Sequence, residues 1–302
     1  MNVRAVRADI LLFLTAAIWG FAFVAQRVGM EHVGPLTFNG VRFALGAVAL
    51  LPLIRFMESS RSRTNKVSGT RLLSGGILLG LALFAGSTLQ QLGLAAPLLQ
   101  SWGVASSTAG KAGFITGLYV VLVPLMGLVF GQRAGVGSWG GAFLAVVGMY
   151  MLSVTGGVSV AFGDILVMGS AFFWAGHVLL VGKLSPGMDA VDAVKLSSIQ
   201  FGVCSALSLC GASFMESMTL EGIMGATLPI LYGGLMSTGV AYTLQVVAQR
   251  DANSSHAAVI LSLEAVFAAI GGWMLLDETL GVRALIGCGL MLVGMLVSQL
   301  KP

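Results

Sequence analysis

Of the 302 residues, 57% are hydrophobic and only 9% charged, against about 25% charged in soluble domains; this excludes a soluble globular protein and predicts an integral membrane one. Apolar segments recur from Asp9 to Leu300 with no polar tract between them long enough to fold, so the whole chain reads as one membrane domain. The net charge of +4 does not point to nucleic acid, because the basic residues are scattered over loops and form no stripe with interleaved aromatics.

Apolar runs bounded by charge or by Gly and Pro give ten candidate spans. The first five are Asp9 to Val28, Pro35 to Phe56, Arg71 to Leu92, Thr108 to Phe130, and Val136 to Val154. The second five are Asp164 to Val181, Val191 to Ala212, Gly225 to Ala248, Ser255 to Leu276, and Val282 to Leu300. Arg4 and Arg7 before the first run have the form of a signal peptide, but the repeat described next needs this segment retained. With the N-terminus in the cytoplasm, the inside receives Arg4, Arg7, Arg55, Arg61, Arg63, Lys66, Arg71, Arg133, Lys183, Lys195, Arg250 and Lys301. Only Arg27, Lys111 and Arg283 fall outside, and Arg42 lies within a span. The positive-inside rule therefore predicts a multi-pass protein of the inner (cytoplasmic) membrane with both termini cytoplasmic. Cys204, Cys210 and Cys288 lie in apolar runs and read as small core residues.

The two halves, 1–156 and 157–302, match each other. Asp9-Ile10-Leu11 with Trp19 recurs as Asp164-Ile165-Leu166 with Trp174, and Thr88-Leu89-Gln90 recurs as Thr243-Leu244-Gln245, both at a shift of 155. Arg42-Phe43 answers Gln200-Phe201, Lys111-Ala112 answers His256-Ala257, and Tyr119 answers Glu264. Five helices per half is an odd number, so the second copy enters the membrane upside down. The predicted fold is thus all-α: ten transmembrane helices as two inverted five-helix repeats, an arrangement associated with a midplane binding site.

Polar residues fall on single helical faces. The first span carries Thr15, Trp19 and Gln26, and its mate carries Ser170, Trp174 and His177. The eighth carries Thr238, Tyr242, Gln245 and Gln249, and the third Ser87, Gln90 and Gln91. The second and seventh carry Asn39 with Arg42 and Ser197 with Gln200; the fourth carries Lys111, Thr116 and Tyr119. The fifth and tenth have only glycines seven apart, Gly141 with Gly148 and Gly287 with Gly294, and are expected at the periphery or between the protomers of a homodimer. Glu264 stands at the middle of the ninth span, near the bilayer midplane, where an acidic residue costs about 2.5–3.5 kcal/mol unless it faces a polar interior. The candidate substrate-binding residues are Glu264, Tyr119, Trp19, Trp174, His177, Gln90, Tyr242, Gln245, Lys111 and Arg42. Each has a plainer alternative: Gln and His as interhelical glue worth about 0.6 kcal/mol, Arg42 paired with a carbonyl, and Lys111 snorkelling to the span end.

Trp19-Gly20, Arg42-Phe43, Leu89-Gln90-Gln91-Leu92-Gly93-Leu94, Lys111-Ala112-Gly113-Phe114-Ile115-Thr116-Gly117 within Ser107 to Tyr119, Pro124, and Leu263-Glu264 through Leu276-Asp277-Glu278 occur in that order. Together they resemble the drug/metabolite transporter superfamily, specifically its ten-helix EamA family, over nearly the whole chain. The resemblance implies a central cavity lined by the third, fourth, eighth and ninth helices with help from the first and sixth. It also implies a transporter, often an exporter of amino acids or other small metabolites, working without ATP. The family pattern usually has proline after the residue matching Glu264. Here Ala265 stands there, so the ninth helix is expected to be less kinked, and Arg133 stands where the second half has Glu278.

The function expected is secondary transport of a small polar metabolite, amino acid-like or related, by alternating access. The partners are that metabolite and the lipid bilayer; no cofactor is implied beyond proton coupling through Glu264, which either carries a proton or binds a cationic group. No G-x-x-x-x-G-K-[ST] stretch is present to cradle a nucleotide. An intramembrane protease lacks a G-x-S-x-G serine turn, and the scattered His and Cys give no metal-ligand spacing. A passive channel or a membrane scaffold remains the alternative.

Overall fold

The computed structural model describes residues 3–59, 67–107, 109–129, 131–132, 134–153, 160–275 and 281–298. Its first half comprises α1 Val3–Gly29, α2 Pro35–Ser59, α3 Gly69–Leu94, α4 Ala96–Ser101, α5 Ala109–Gly117, α6 Tyr119–Val129 and α7 Val136–Ser153. Its second comprises α8 Phe162–Leu184, α9 Ala190–Met215, α10 Leu220–Gly225, α11 Thr227–Leu231, a π-helix Tyr232–Tyr242, α12 Thr243–Ala248, α13 Ser254–Leu261, α14 Glu264–Leu275 and α15 Val282–Ser298. All regular elements among the described residues are helices, which is how a chain satisfies its backbone donors and acceptors where no water reaches.

Eight stretches are long and apolar enough to cross a membrane: Val3–Gly29, Pro35–Ser59, Gly69–Leu94, Ala109–Val129, Phe162–Leu184, Ala190–Met215, Thr227–Ala248 and Ser254–Leu275. The other two expected spans are present as shorter apolar helices, Val136–Met151 and Val282–Ser298. Thr108, Phe130, Val154, Leu276 and Leu300, and the loop charges Arg61, Arg63, Lys66, Arg133, Asp277, Glu278 and Lys301, lie outside the described residues.

Helix α2 packs along α9, α3 along α8 and α9, and α1 along the π-helix and α14. The two members of the α2–α9 pair run antiparallel. Glu216, just past the end of α9, accepts the N–H groups of Leu36 (2.8 Å) and Thr37 (2.7 Å) at the start of α2, while Lys195 near the start of α9 meets Glu58 near the end of α2. Those are donors that the first turn of a helix leaves without intrahelical partners. The α7–α15 pair is antiparallel too, through glycine. A Cβ at Gly141 would lie 2.6 Å from the carbonyl oxygen of Gly294, and one at Gly148 2.5 Å from that of Gly287. The glycines of the two helices expected at the periphery or between protomers let two backbones touch inside one chain.

Three spans depart from regular α-helix. The fourth is interrupted at Leu118 and the ninth at Ser262 and Leu263, each directly before a candidate site residue, Tyr119 and Glu264. At both breaks the backbone switches to three-residue bonds, Leu118 N–H to Ile115 O and Val121 N–H to Leu118 O, then Ala265 N–H to Ser262 O and Val266 N–H to Leu263 O. The ninth helix is thus interrupted directly before Glu264, although Ala265 stands where the family pattern has proline. The Ser262 hydroxyl donates to Val259 O (2.8 Å), a back-bond that competes with the helix ladder, and the ladder breaks there with no proline. The third departure is the π-helix itself.

Candidate functional site

One cavity lies among the buried faces of both halves. It is lined by Trp19, Ala22, Phe23 and Gln26 of α1, Arg42 of α2, Gln90 of α3, Thr116 of α5 and Tyr119 of α6. The second half adds Trp174, His177 and Val178 of α8, Ser237 and Tyr242 of the π-helix, Gln245 of α12 and Glu264 of α14. Nine of the ten candidate residues meet here. The tenth, Lys111, does not line the cavity; its ammonium group lies 3.6 Å from the Asp164 carboxylate, drawn to a buried acid at the start of α8.

Tyr242 organises the aromatic wall. Its ring centroid lies 4.6 Å from that of Trp19, 5.9 Å from His177 and from Phe201, and 6.2 Å from Trp174 and from Phe43, spacings at which ring pairs contribute about 0.5–1.5 kcal/mol beyond burial. A second network ties three helices together: Trp174 Nε1 donates to Gln90 Oε1 (2.9 Å) and Gln90 Nε2 donates to Gln26 Oε1 (3.0 Å). His177 Nε2 meets Gln200 Oε1 at 2.8 Å. Gln90 and His177 thus take part in structural bonds while lining the cavity.

Other lining groups have no such partner. The Thr116 hydroxyl and both ends of the Gln245 amide are buried without a protein hydrogen bond, and Glu264 Oε1 and the Tyr119 hydroxyl have no partner beyond each other. An unsatisfied buried polar group costs about 1–3 kcal/mol, and Thr116 and Gln245 bear that cost in the same cavity. Tyr119 and Glu264, mates in the two halves, face each other closely enough to interact. Arg42, 2% exposed, donates from Nε to Asn39 Oδ1 (3.0 Å) and lies 4.3 Å from the Phe43 ring centroid.

Gln26, Thr116 and Ser237 also line the cavity but are outside the candidate set. Gln26 and Thr116 stand on the same polar faces as Trp19 and Tyr119, which was the available signal. Ser237 carried none. Helical spacing of 3.6 residues aligns Thr238 with Tyr242, but the π-helix bonds five residues apart, so Thr238 turns away to donate to Gly233 O (2.7 Å) while Ser237 faces the cavity.

At the far end of α1, His256 Nε2 meets Asp9 Oδ1 (2.7 Å) and its Nδ1 meets Ser298 Oγ (2.9 Å). The order serine, histidine, aspartate is that of a hydrolase triad. Here Ser298 is fully buried, its hydroxyl donates to Met295 O (2.7 Å), and none of the three lines the cavity. The contact is instead the counterpart of Lys111–Asp164, with each acid from the first helix of one half and each base from the fourth helix of the other.

The EamA-like transporter family model matches residues 6–154 and again 161–299. An uncharacterized transporter of Archaeoglobus fulgidus is 30% identical over 99% of this chain and 88% of its own length. A probable amino-acid metabolite efflux pump of Salmonella typhimurium is 27% identical over 95% of this chain and 93% of its own length. A solved crystal structure aligns with a TM-score of 0.75 at 16% identity, covering 97% of this chain and 96% of that one, a likeness of fold. Two matched halves and a relative at this identity along nearly the full length make the chain a member of the EamA-like transporter family.

Proposed function

We propose that this membrane transporter exports a small polar metabolite, amino acid-like or related, across the inner membrane by alternating access between inverted five-helix halves, 1–156 and 157–302. The observation that carries the reading is the shared cavity in which Thr116, Tyr119, Gln245 and Glu264, drawn from both halves, hold polar atoms with no protein partner beyond the Tyr119–Glu264 pair. A cargo with matching donors and acceptors satisfies them. The inversion is supported by the antiparallel runs of α2 with α9 and of α7 with α15, which are equivalent helices of the repeat. Export and cargo class are supported by the amino-acid metabolite efflux named for the Salmonella relative. Cytoplasmic termini rest on the distribution of Lys and Arg.

Alternating access needs a closure at each end of the cavity. The Asp9–His256 and Asp164–Lys111 contacts supply one each, since the two first helices enter from opposite sides in an inverted repeat. Opening one end separates one pair and leaves the other closed.

The test is an untargeted comparison of metabolites inside and outside cells with and without the chain, with Glu264→Gln as control. A compound depleted inside and enriched outside only with the unaltered chain supports the reading. Saturable countertransport of that compound in liposomes separates a carrier from a channel, and no displaced metabolite at all sinks it.

A further inference from the structure

Arg42 is a full positive charge inside the protein, and no carboxylate among the described residues pairs with it. Its guanidinium makes one hydrogen bond, from Nε to Asn39, and packs over Phe43. Its other electrostatic neighbours are Tyr242 and Cys204, and the residue lines the cavity. A guanidinium taken out of water costs several kcal/mol unless an anion meets it, and its terminal nitrogens form the fork that matches a carboxylate.

The second half shows what this position needs for folding alone. The mate of Arg42 is Gln200, which is neutral, fully buried, and hydrogen-bonded to His177. The following residues, Phe43 and Phe201, pack on each other with ring centroids 6.2 Å apart. A neutral amide therefore does the packing work at the equivalent site, and the charge at 42 serves something else. Glu264 lines the same cavity, and Tyr242 lies within electrostatic reach of both Arg42 and Glu264. The cavity thus carries a guanidinium and a carboxyl group, both within electrostatic reach of Tyr242.

We propose that Arg42 fixes specificity by binding the carboxylate of a zwitterionic cargo whose ammonium group faces Glu264. The inference rests on reading the cavity as the transport site. A single guanidinium balances one negative charge, which favours a carboxylate over a doubly charged phosphate, and a guanidinium sharing the cavity with a carboxyl group disfavours sugars and simple amines.

The probes are matched sets on one carbon skeleton: a mixture of neutral α-amino acids, their methyl esters, their decarboxylated amines, and the corresponding phosphate monoesters. Each competes for export of the displaced compound from liposomes containing the full chain. Free acids compete, while esters and amines are weaker by about tenfold to a hundredfold, the range of a lost charge-assisted bond. Arg42→Gln, which copies the second half, brings acids down to the level of esters while remaining monodisperse in detergent; Arg42→Lys keeps part of the preference. Esters or amines competing as well as acids with the unaltered chain overturn the assignment and leave the transporter reading standing, and this arm needs no variant. Stronger competition by phosphate monoesters overturns the carboxylate. Unchanged discrimination in Arg42→Gln overturns the role of Arg42. A chain that moves nothing overturns both readings together.

Discussion

Tyr242 and Glu264 do opposite kinds of work at the same cavity. Tyr242 touches five rings and is 5% exposed, so its contribution is packing. Truncation to alanine removes the shared partner of Trp19, Trp174 and His177 and is expected to cost about 3–5 kcal/mol, read as a lower midpoint of thermal unfolding in detergent. Tyr242→Phe keeps the rings and leaves stability within about 1 kcal/mol of the unaltered protein, so any loss of flux in this variant isolates the hydroxyl. Glu264 has no partner at Oε1 beyond Tyr119, and Glu264→Gln is expected to leave unfolding unchanged or slightly raised, because a neutral amide is easier to bury. Flux falls at least tenfold and its dependence on pH flattens, measured in liposomes between pH 5.5 and 8. Unchanged flux with the same pH profile discards a role for this charge. Both residues were legible in the sequence as polar groups in mid-span. What the sequence did not contain is the division of labour, since which polar atoms meet partners depends on neighbours brought from the other half.

Element geometry explains both what the polar faces revealed and where they misled. Trp19, Gln90, Trp174, His177 and Gln245, picked out by stripes at a 3.6-residue period, line the cavity from α1, α3, α8 and α12, which are regular α-helices. The same period failed on Tyr232–Tyr242, where five-residue bonding exchanges Ser237 for Thr238. The absence of proline did not reveal the break at Ser262 and Leu263, where a serine back-bond and a three-residue turn interrupt the helix. Gly20, in the Trp19-Gly20 pair, marks another constraint of this kind. A Cβ there would lie 2.7 Å from both Glu264 O and Ala268 N. Those are backbone atoms that cannot swing aside, so Gly20→Ala is expected to push α1 away from α14 and displace Glu264. Overpacking of this sort costs about 1–3 kcal/mol, and the expected outcome is a lower unfolding midpoint together with reduced flux. Gly69, whose added Cβ meets nothing within 4 Å, is the control: Gly69→Ala leaves both unchanged. Equal behaviour of the two variants would show that the α1–α14 approach is not tight.

At the scale of the whole molecule, the repeat read from the sequence paired Asp9 with Asp164 and His256 with Lys111 as equivalents, but gave no contact between acid and base. The structure crosses them: Asp9 meets His256 and Asp164 meets Lys111, one pair at each end of the bundle. Spacing along a chain cannot reveal this, because each contact joins residues from different halves. The acids are 6% exposed at Asp164 and, at the side chain, 21% at Asp9, so neither is a freely solvated surface pair of the sort worth almost nothing. If each pair holds its own end closed, removing one acid biases the two-state equilibrium towards opening at that end. A coupling of about 1–3 kcal/mol shifts such an equilibrium roughly 5- to 150-fold. The measurement places a single cysteine in the cavity, Ala22→Cys, in a background with Cys204, Cys210 and Cys288 replaced, and follows its reaction with a membrane-impermeant thiol reagent added from one side at a time. Asp9→Asn is expected to speed labelling from the side of the N-terminus and Asp164→Asn from the opposite side. Acceleration from the same side in both variants would refute opposed closures, and with them the inverted arrangement that places the two first helices at opposite faces. No change in either variant would assign both contacts to packing alone and move the closures to the helix breaks before Tyr119 and Glu264.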